Sequence, residues 1–178
     1  PVIKQNAYPY NNVTCSQAQT LANSMESGNY TSSLMFGVQW DLVLKYLETK
    51  GTAQADLKTN STNWGNYNNN LWNITNTDSK YAPNGSGWIS GAYGKKTSNS
   101  NILLSTGASD TFSKQGIYDF GGNVWEGTLE YATSYSEYPC AIRGGYYNDS
   151  GDYYSATYRY SISTILYNDN VGFRVSLF

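Results

Sequence analysis

The side chains that could do chemistry in this 178-residue chain are 13 Asp and Glu, 11 Lys and Arg, two Cys, and 18 Tyr, with no His. Without histidine there is no Ser-His-Asp triad, no His-assisted cysteine nucleophile and no His-ligated zinc. Two cysteines are too few for an all-cysteine zinc site or a disulfide-dense scaffold. Cys15 and Cys140 lie far apart in the sequence. Two free, mostly buried thiols are expected there, with a disulfide as the alternative. The polar side chains gather near the C-terminus, in Tyr146-Tyr147-Asn148-Asp149-Ser150-Gly151-Asp152-Tyr153-Tyr154-Ser155. Tyr158, Tyr160, Ser161, Ile162, Ser163 and Tyr167-Asn168-Asp169-Asn170 follow. Tyr, Ser, Gly and Asn are the residues of antibody paratopes: Tyr gives large amphipathic area at low rotamer cost, and the small polar residues adapt. The stretch lacks the apolar alternation of a structural strand. Tyr147, Tyr153, Tyr154, Tyr158, Tyr160 and Tyr167 are therefore expected on one exposed face, with their hydroxyls in solvent.

Charge narrows the partners. Only 13% of residues are charged and the net charge is −2, against a usual charged fraction of ~25%. All eight Lys lie at or before Lys114, and the three Arg (Arg143, Arg159, Arg174) lie after it among seven acids. That leaves no electrostatic footprint for nucleic acid. No apolar run approaches the ~18 residues that span a bilayer, so no direct membrane insertion is expected. The 16% aromatic content argues against disorder. The chain begins at Pro1 without Met, and any signal or attachment segment would lie upstream.

The elements that must position these residues are partly legible. Thr14 and Gln17 form a capping-box pattern, and Cys15, Ala18, Leu21, Ala22 and Met25 recur at helical spacing until Gly28. A second helix is expected from near Gly37 to Gly51, with Val38, Leu42, Val43, Tyr46 and Leu47 on its apolar stripe and Trp40 flanking it. Residues 52–100 read as long loops with short strands, pinned by Trp64, Trp72 and Trp88. Beyond them, Ile102-Leu103-Leu104, Ala141-Ile142-Arg143 and one final run, 171–178, read as strands. Helices followed by short strands indicate an α+β domain.

Three motifs stand out: Tyr118-Asp119-Phe120-Gly121-Gly122-Asn123-Val124-Trp125-Glu126-Gly127-Thr128, then Arg143-Gly144-Gly145, then Val171-Gly172-Phe173-Arg174-Val175. Gly121 and Gly122 open backbone geometries closed to other residues, and Trp125 suits a plug beneath a loop-rich surface. Arg174 can donate to several loop carbonyls or to one carboxylate in a fork. The order of the motifs resembles the formylglycine-generating enzyme (sulfatase-modifying factor) family, a variant of the C-type lectin fold. Leu34-Met35-Phe36-Gly37-Val38-Gln39-Trp40-Asp41 sits where that family has a strand and then a helix ending in Trp-Glu. The resemblance covers about residues 30–178, and Gly127 departs from it where the family usually carries Trp.

The resemblance implies two metal chemistries. The family's oxidase uses a pair of cysteines shortly after Arg-Gly-Gly, with copper between them. The matching positions here are about Asp149 and Tyr154, and no cysteine follows Cys140. No thiolate copper site forms there, and neither enzymatic function nor a catalytic cofactor is expected. At the Gly-Asn-Val-Trp-Glu loop the resemblance implies one structural calcium ion. Its ligands would be the side chains of Asp119 and Glu126 and the carbonyls of Gly122 and Val124, hard oxygens of the kind calcium takes. The alternative is that Glu126 pairs with an Arg.

The C-terminal composition also resembles the variable proteins of diversity-generating retroelements, which use the C-type lectin fold and mutate adenines in a C-terminal repeat. Asn codons then become Tyr, Ser, Asp, Ile or Gly. The residues that fit such products are Tyr147, Asn148, Asp149, Asp152, Tyr153, Tyr154, Tyr158, Tyr160, Ser161, Ile162, Tyr167, Asn168 and Asp169. The expected protein is one C-type-lectin-fold domain over 1–178, α+β, with two N-terminal helices and short, loop-rich antiparallel strands. Residues 143–178 would form its variable ligand-binding region. It would bind a protein or glycan receptor on another cell or particle, from a virion (phage tail tip) or a bacterial cell surface, as a monomer or an oligomer. The runner-up is a catalytically inactive domain of the same family that binds carbohydrate or serves structure.

Overall fold

A computed structural model describes residues 1–26, 28–133 and 136–178. The chain order is α1 (Cys15–Asn23), β1 (Ser32–Leu34), α2 (Gly37–Thr49), α3 (Gln54–Lys58), β2 (Asn73–Ile74), β3 (Lys80–Pro83), β4 (Ile89–Ser90) and β5 (Gly94–Lys95). It continues with β6 (Ile102–Leu104), β7 (Ser113–Lys114), β8 (Ile117–Tyr118), β9 (Trp125–Tyr131), β10 (Cys140–Arg143), β11 (Arg159–Ile162), β12 (Val171–Phe173) and β13 (Val175–Leu177). These α+β elements build several small, mostly antiparallel sheets. The largest has the order β11-β10-β9-β12, with β12 parallel to β9. Among the described residues no helix is long and apolar enough to cross a membrane.

Helix α1 starts where its cap dictates. The Thr14 side chain accepts from the Gln17 N–H, and the Gln17 side chain accepts from the Thr14 N–H. The helix then ends at Asn23, well before Gly28, because Ser24 turns its hydroxyl back onto the Leu21 carbonyl (2.8 Å). Helix α2 runs from Gly37 to Thr49, with Gly51 just beyond at φ +95°. Its buried face shares with the expected stripe only Leu47 and, at the edge, Val43. Gly37, Trp40, Leu44 and Leu47 point inward, while Val38, Leu42 and Tyr46 are exposed. Trp40 sets this orientation, since its ring stacks on Phe120 at 3.8 Å and its Nε1–H donates to the Ala156 carbonyl at 2.9 Å. The stretch 52–100 carries a short helix, α3, that composition did not announce.

The run 171–178 is two strands, not one. Val171–Phe173 pairs with β9, and Val175–Leu177 pairs antiparallel with β1. The break falls at Arg174, whose side chain turns inward to a carboxylate.

The two cysteines are joined, which corrects the expectation of free thiols. Cys15 is the first residue of α1, and Cys140 opens β10 on the sheet face that α1 covers. Their Cα atoms lie 6.5 Å apart. A bridge across a sequence separation of 125 restricts the unfolded chain strongly. Replacing both cysteines by Ala is expected to remove ~2–5 kcal/mol in a urea melt. Alkylation of the unreduced, denatured protein should find no free thiol.

Candidate ligand-binding surface

Strand β9 sorts the molecule into two sides, because successive side chains point to opposite faces. Trp125 faces one side and Glu126 the other. On the Trp125 side, Ile142, Ile162 and Val171 pack around the indole. Tyr154, Tyr158 and Tyr160 are seated on it, with ring centroids 5.7, 6.0 and 6.1 Å away. Tyr153 joins the cluster through Tyr154 (4.7 Å) and Tyr158 (5.9 Å), and Tyr154 meets Tyr158 edge to face at 4.8 Å. Tyr153 and Tyr160 are well exposed, at 65% and 52%, while Tyr154 and Tyr158 are half-buried beneath them.

The loop 146–155 that carries Tyr153 and Tyr154 is fixed by a run of asparagines. The Asn68 N–H and side chain donate to the carbonyls of Asp149 (2.9 Å) and Asn148 (2.8 Å). Asn69 accepts from the Gly151 N–H (3.0 Å) and donates to Asp152 (3.2 Å). These positioning residues were not singled out from the sequence. The dense Asn run 66–70 is the signal for them, within a stretch whose composition reads only as long loops with short strands.

Other candidates fall elsewhere. Tyr147 is 5% exposed, against expectation: its ring packs with Ala82, Leu103 and Val124, and its hydroxyl donates to Asp169 (3.1 Å). Ile162 is also 5% exposed, because it shares the Trp125 face of the sheet. Ser161, one residue on from Tyr160 in β11, points to the opposite face and is half-buried. Tyr167 and Asn168 are exposed on a separate loop, and among the described residues no ring contact links Tyr167 to the cluster. Asn148 and Asp152 are exposed beside the cluster, and Asp149 and Asp169 are half-buried. Burial pushes the Asp149 carboxyl up to about 7, against the opposing hydrogen bond from the Tyr146 N–H.

The Glu126 side holds the scaffold. Glu126 is buried, and both its oxygens accept from Arg174, through Nε and Nη2. Arg174 Nη2 also donates to the carbonyls of Tyr118 (3.2 Å) and Asp119 (3.1 Å). Burial works against its charge, but Glu126 and Asp119 outweigh it and hold the proton more tightly than usual. Asp119 Oδ2 accepts from the Gly107 N–H (2.7 Å), and burial pushes this carboxyl up to about 6. The Glu126 carboxylate and the Asp119 carbonyl therefore converge on the Arg174 guanidinium, while the Asp119 carboxylate turns to the Gly107 N–H. With both Glu126 oxygens committed to Arg174, a divalent ion would have to be added at contact distance from a fixed positive charge. With Glu126 held by Arg174 and the Asp119 carboxylate by the Gly107 N–H, both expected calcium carboxylates are already committed to protein partners. Gly122 (φ +71°) serves close approach instead: a Cβ there would lie 2.4 Å from the Asn66 carbonyl. Val124 packs in the Tyr147 cluster, and the Asn123 side chain exchanges hydrogen bonds with the Leu104 backbone at 3.0 and 3.1 Å.

A sequence profile of the sulfatase-modifying factor enzyme 1-like domain matches residues 2–177. The chain belongs to this family. Comparison with curated proteins gives no significant match. Among solved structures, Treponema denticola variable protein 1 superposes with a TM-score of 0.54 at 18% identity, over 98% of this chain and 73% of that one. At that identity the likeness is one of fold. The match extends the sulfatase-modifying-factor resemblance through the N-terminal segment, which lacks the three motifs.

Two outcomes test this geometry. Arg174→Met should cost ~3–5 kcal/mol, because Glu126 is left buried and unpaired, and adding Glu126→Met should restore much of it. A chelator should leave the wild-type Tm unchanged. The pH dependence follows from Asp119 and, over a wider range, from Asp149. Each folded pKa lies above its unfolded one, so from about pH 4 to about pH 6 for Asp119, and to about pH 7 for Asp149, the folded state holds more protons and stability falls as pH rises. The Tm should therefore be higher at pH 5 than at pH 8, by a smaller margin in Asp149→Asn.

Proposed function

We propose that this domain is a non-catalytic binding module on a C-type lectin fold, displaying a ligand surface diversified by a retroelement. One observation carries the reading. Exposed tyrosines stand on Trp125, on the opposite face of β9 from the Arg174–Glu126 scaffold. Substitution of those tyrosines leaves the buried ion pair untouched. The fold shared with a protein named for its variability supports this, as does the absence of cysteine at 149 and 154. The only two cysteines are spent on a disulfide, so no thiolate remains for the oxidase chemistry of the family. A structural disulfide also suits an oxidising location such as a virion or a bacterial surface.

The ligand-contacting set is Tyr153, Tyr154, Tyr158 and Tyr160, flanked by Asn148, Asp149 and Asp152, with Tyr167, Asn168 and Asp169 on the neighbouring loop. Its partner is a receptor on another cell or particle. Sequencing the 3′ end of the gene across a population should show amino-acid changes concentrated at these codons. Codons for Trp125, Arg143 and Arg174 should stay fixed. Changes spread evenly along the gene would sink the reading. In the protein, Ser at Tyr153, Tyr160 and Tyr167 together should leave a cooperative melt, each change costing within about 0.5 kcal/mol. Trp125→Ala should cost ~3–5 kcal/mol.

A further inference from the structure

Among the described residues, the carboxylates of the tyrosine surface have no cationic partner. Asp149 Oδ2 accepts from the Tyr146 N–H (3.2 Å), and Asp152 Oδ1 accepts from the Asn69 side chain (3.2 Å). Both donors are neutral. The three arginines are committed elsewhere: Arg143 to Asp41 (2.6 Å), Arg159 to Glu130 (2.8 Å) and Arg174 to Glu126. No lysine follows Lys114 in the chain. Among the described residues neither Asp149 nor Asp152 forms an ion pair. Burial without a counter-ion is also what raises the Asp149 carboxyl.

The aromatic groups beside them have the complementary property. Tyr153, Tyr154 and Tyr158 pack on one another, edge to face at Tyr153–Tyr154 and Tyr154–Tyr158, and Tyr153 is 65% exposed. An aromatic face attracts a cation through its quadrupole, and a carboxylate at its rim adds charge. Neutral donors already occupy one oxygen of each acid, so a second oxygen is left to receive a charged N–H.

We propose that the surface built by Tyr153, Tyr154 and Tyr158 with Asp149 and Asp152 binds a polypeptide segment through a Lys or Arg side chain. The cation stacks on the tyrosine faces while its N–H groups reach the two carboxylates. This rests on the binding-module reading and specifies the chemistry of its ligand. An acidic segment would meet only like charge, and an apolar one would leave Asp149 buried without compensation.

The test pans the full chain against a random 12-residue peptide library displayed on phage. It is run in parallel on Asp149→Asn/Asp152→Asn and on a variant with Ser at Tyr153, Tyr154 and Tyr158. Selected peptides should be enriched in Lys and Arg over the starting library. Resynthesised binders should weaken about fivefold to fiftyfold on the double Asn variant, as loss of a charged contact implies. Cooperative melts establish that both variants fold. Binders without Lys or Arg enrichment, or binders indifferent to the Asn changes, overturn the charge assignment and leave the binding-module reading standing. Binders that persist on the Ser variant, or a library that yields none, overturn the placement of a cationic peptide on this surface, while the population sequencing tests the binding-module reading separately.

Discussion

The buried pairing of Arg174 with Glu126 is the constraint on which the rest of the domain hangs. Two charged side chains taken out of water are stable only when every polar atom finds a partner. Arg174 meets that demand by adding the carbonyls of Tyr118 and Asp119 to both oxygens of Glu126. The consequences extend along the chain. The break between β12 and β13 is where the Arg174 side chain turns inward. The loop 118–124 is held at two of its carbonyls, so its glycines bring it against Asn66.

Around this pair runs an alternating column of cations and rings. Arg174 lies over Phe120 (5.1 Å), Phe120 stacks on Trp40 (3.8 Å), and Arg143 lies over Trp40 (5.8 Å). Arg143 is itself buried and paired with Asp41, so the column ties α2 to the central sheet at both ends. All three sequence motifs, with Trp40, supply members of it. Their shared task is to fix β9, and β9 fixes the indole on which the tyrosines rest. Adjacent residues, Trp125 and Glu126, thus serve the surface and the scaffold separately. Strand alternation isolates one from the other, so side chains on the tyrosine side do not touch the ion pair.

Local signals carried the sequence far in some places. The Thr14 capping box, the start of α2 and its stop before Gly51 depend on neighbouring residues, and all appear as written. The tyrosine-rich segment was legible as a surface because its lack of apolar alternation is also local. Four of its six named tyrosines assemble on Trp125. The same composition could not single out Tyr147, which is drawn inside by partners as distant as Ala82 and Leu103. Nor could it show that the Asn run 66–70 clamps the loop 146–155, a contact across about 80 positions.

By itself the sequence determined the class of the domain, its family through three ordered motifs, and the identity of Asp149 and Tyr154 where the family's oxidase carries cysteines, since these are matters of residue identity. Tertiary structure decided what identity leaves open. Helix α2 was turned by the Trp40–Phe120 stack and not by its own apolar stripe. Cys15 and Cys140 were brought together by the packing of α1 on the sheet. The carboxylates Asp119 and Glu126 read as a calcium site while they are letters in a motif. In the fold, Arg174 arrives from about 50 residues away and pairs with Glu126, while the Asp119 carboxylate turns to the Gly107 N–H. Which cation neutralises a buried carboxylate depends on what else is within a few ångströms, and only the fold sets that distance.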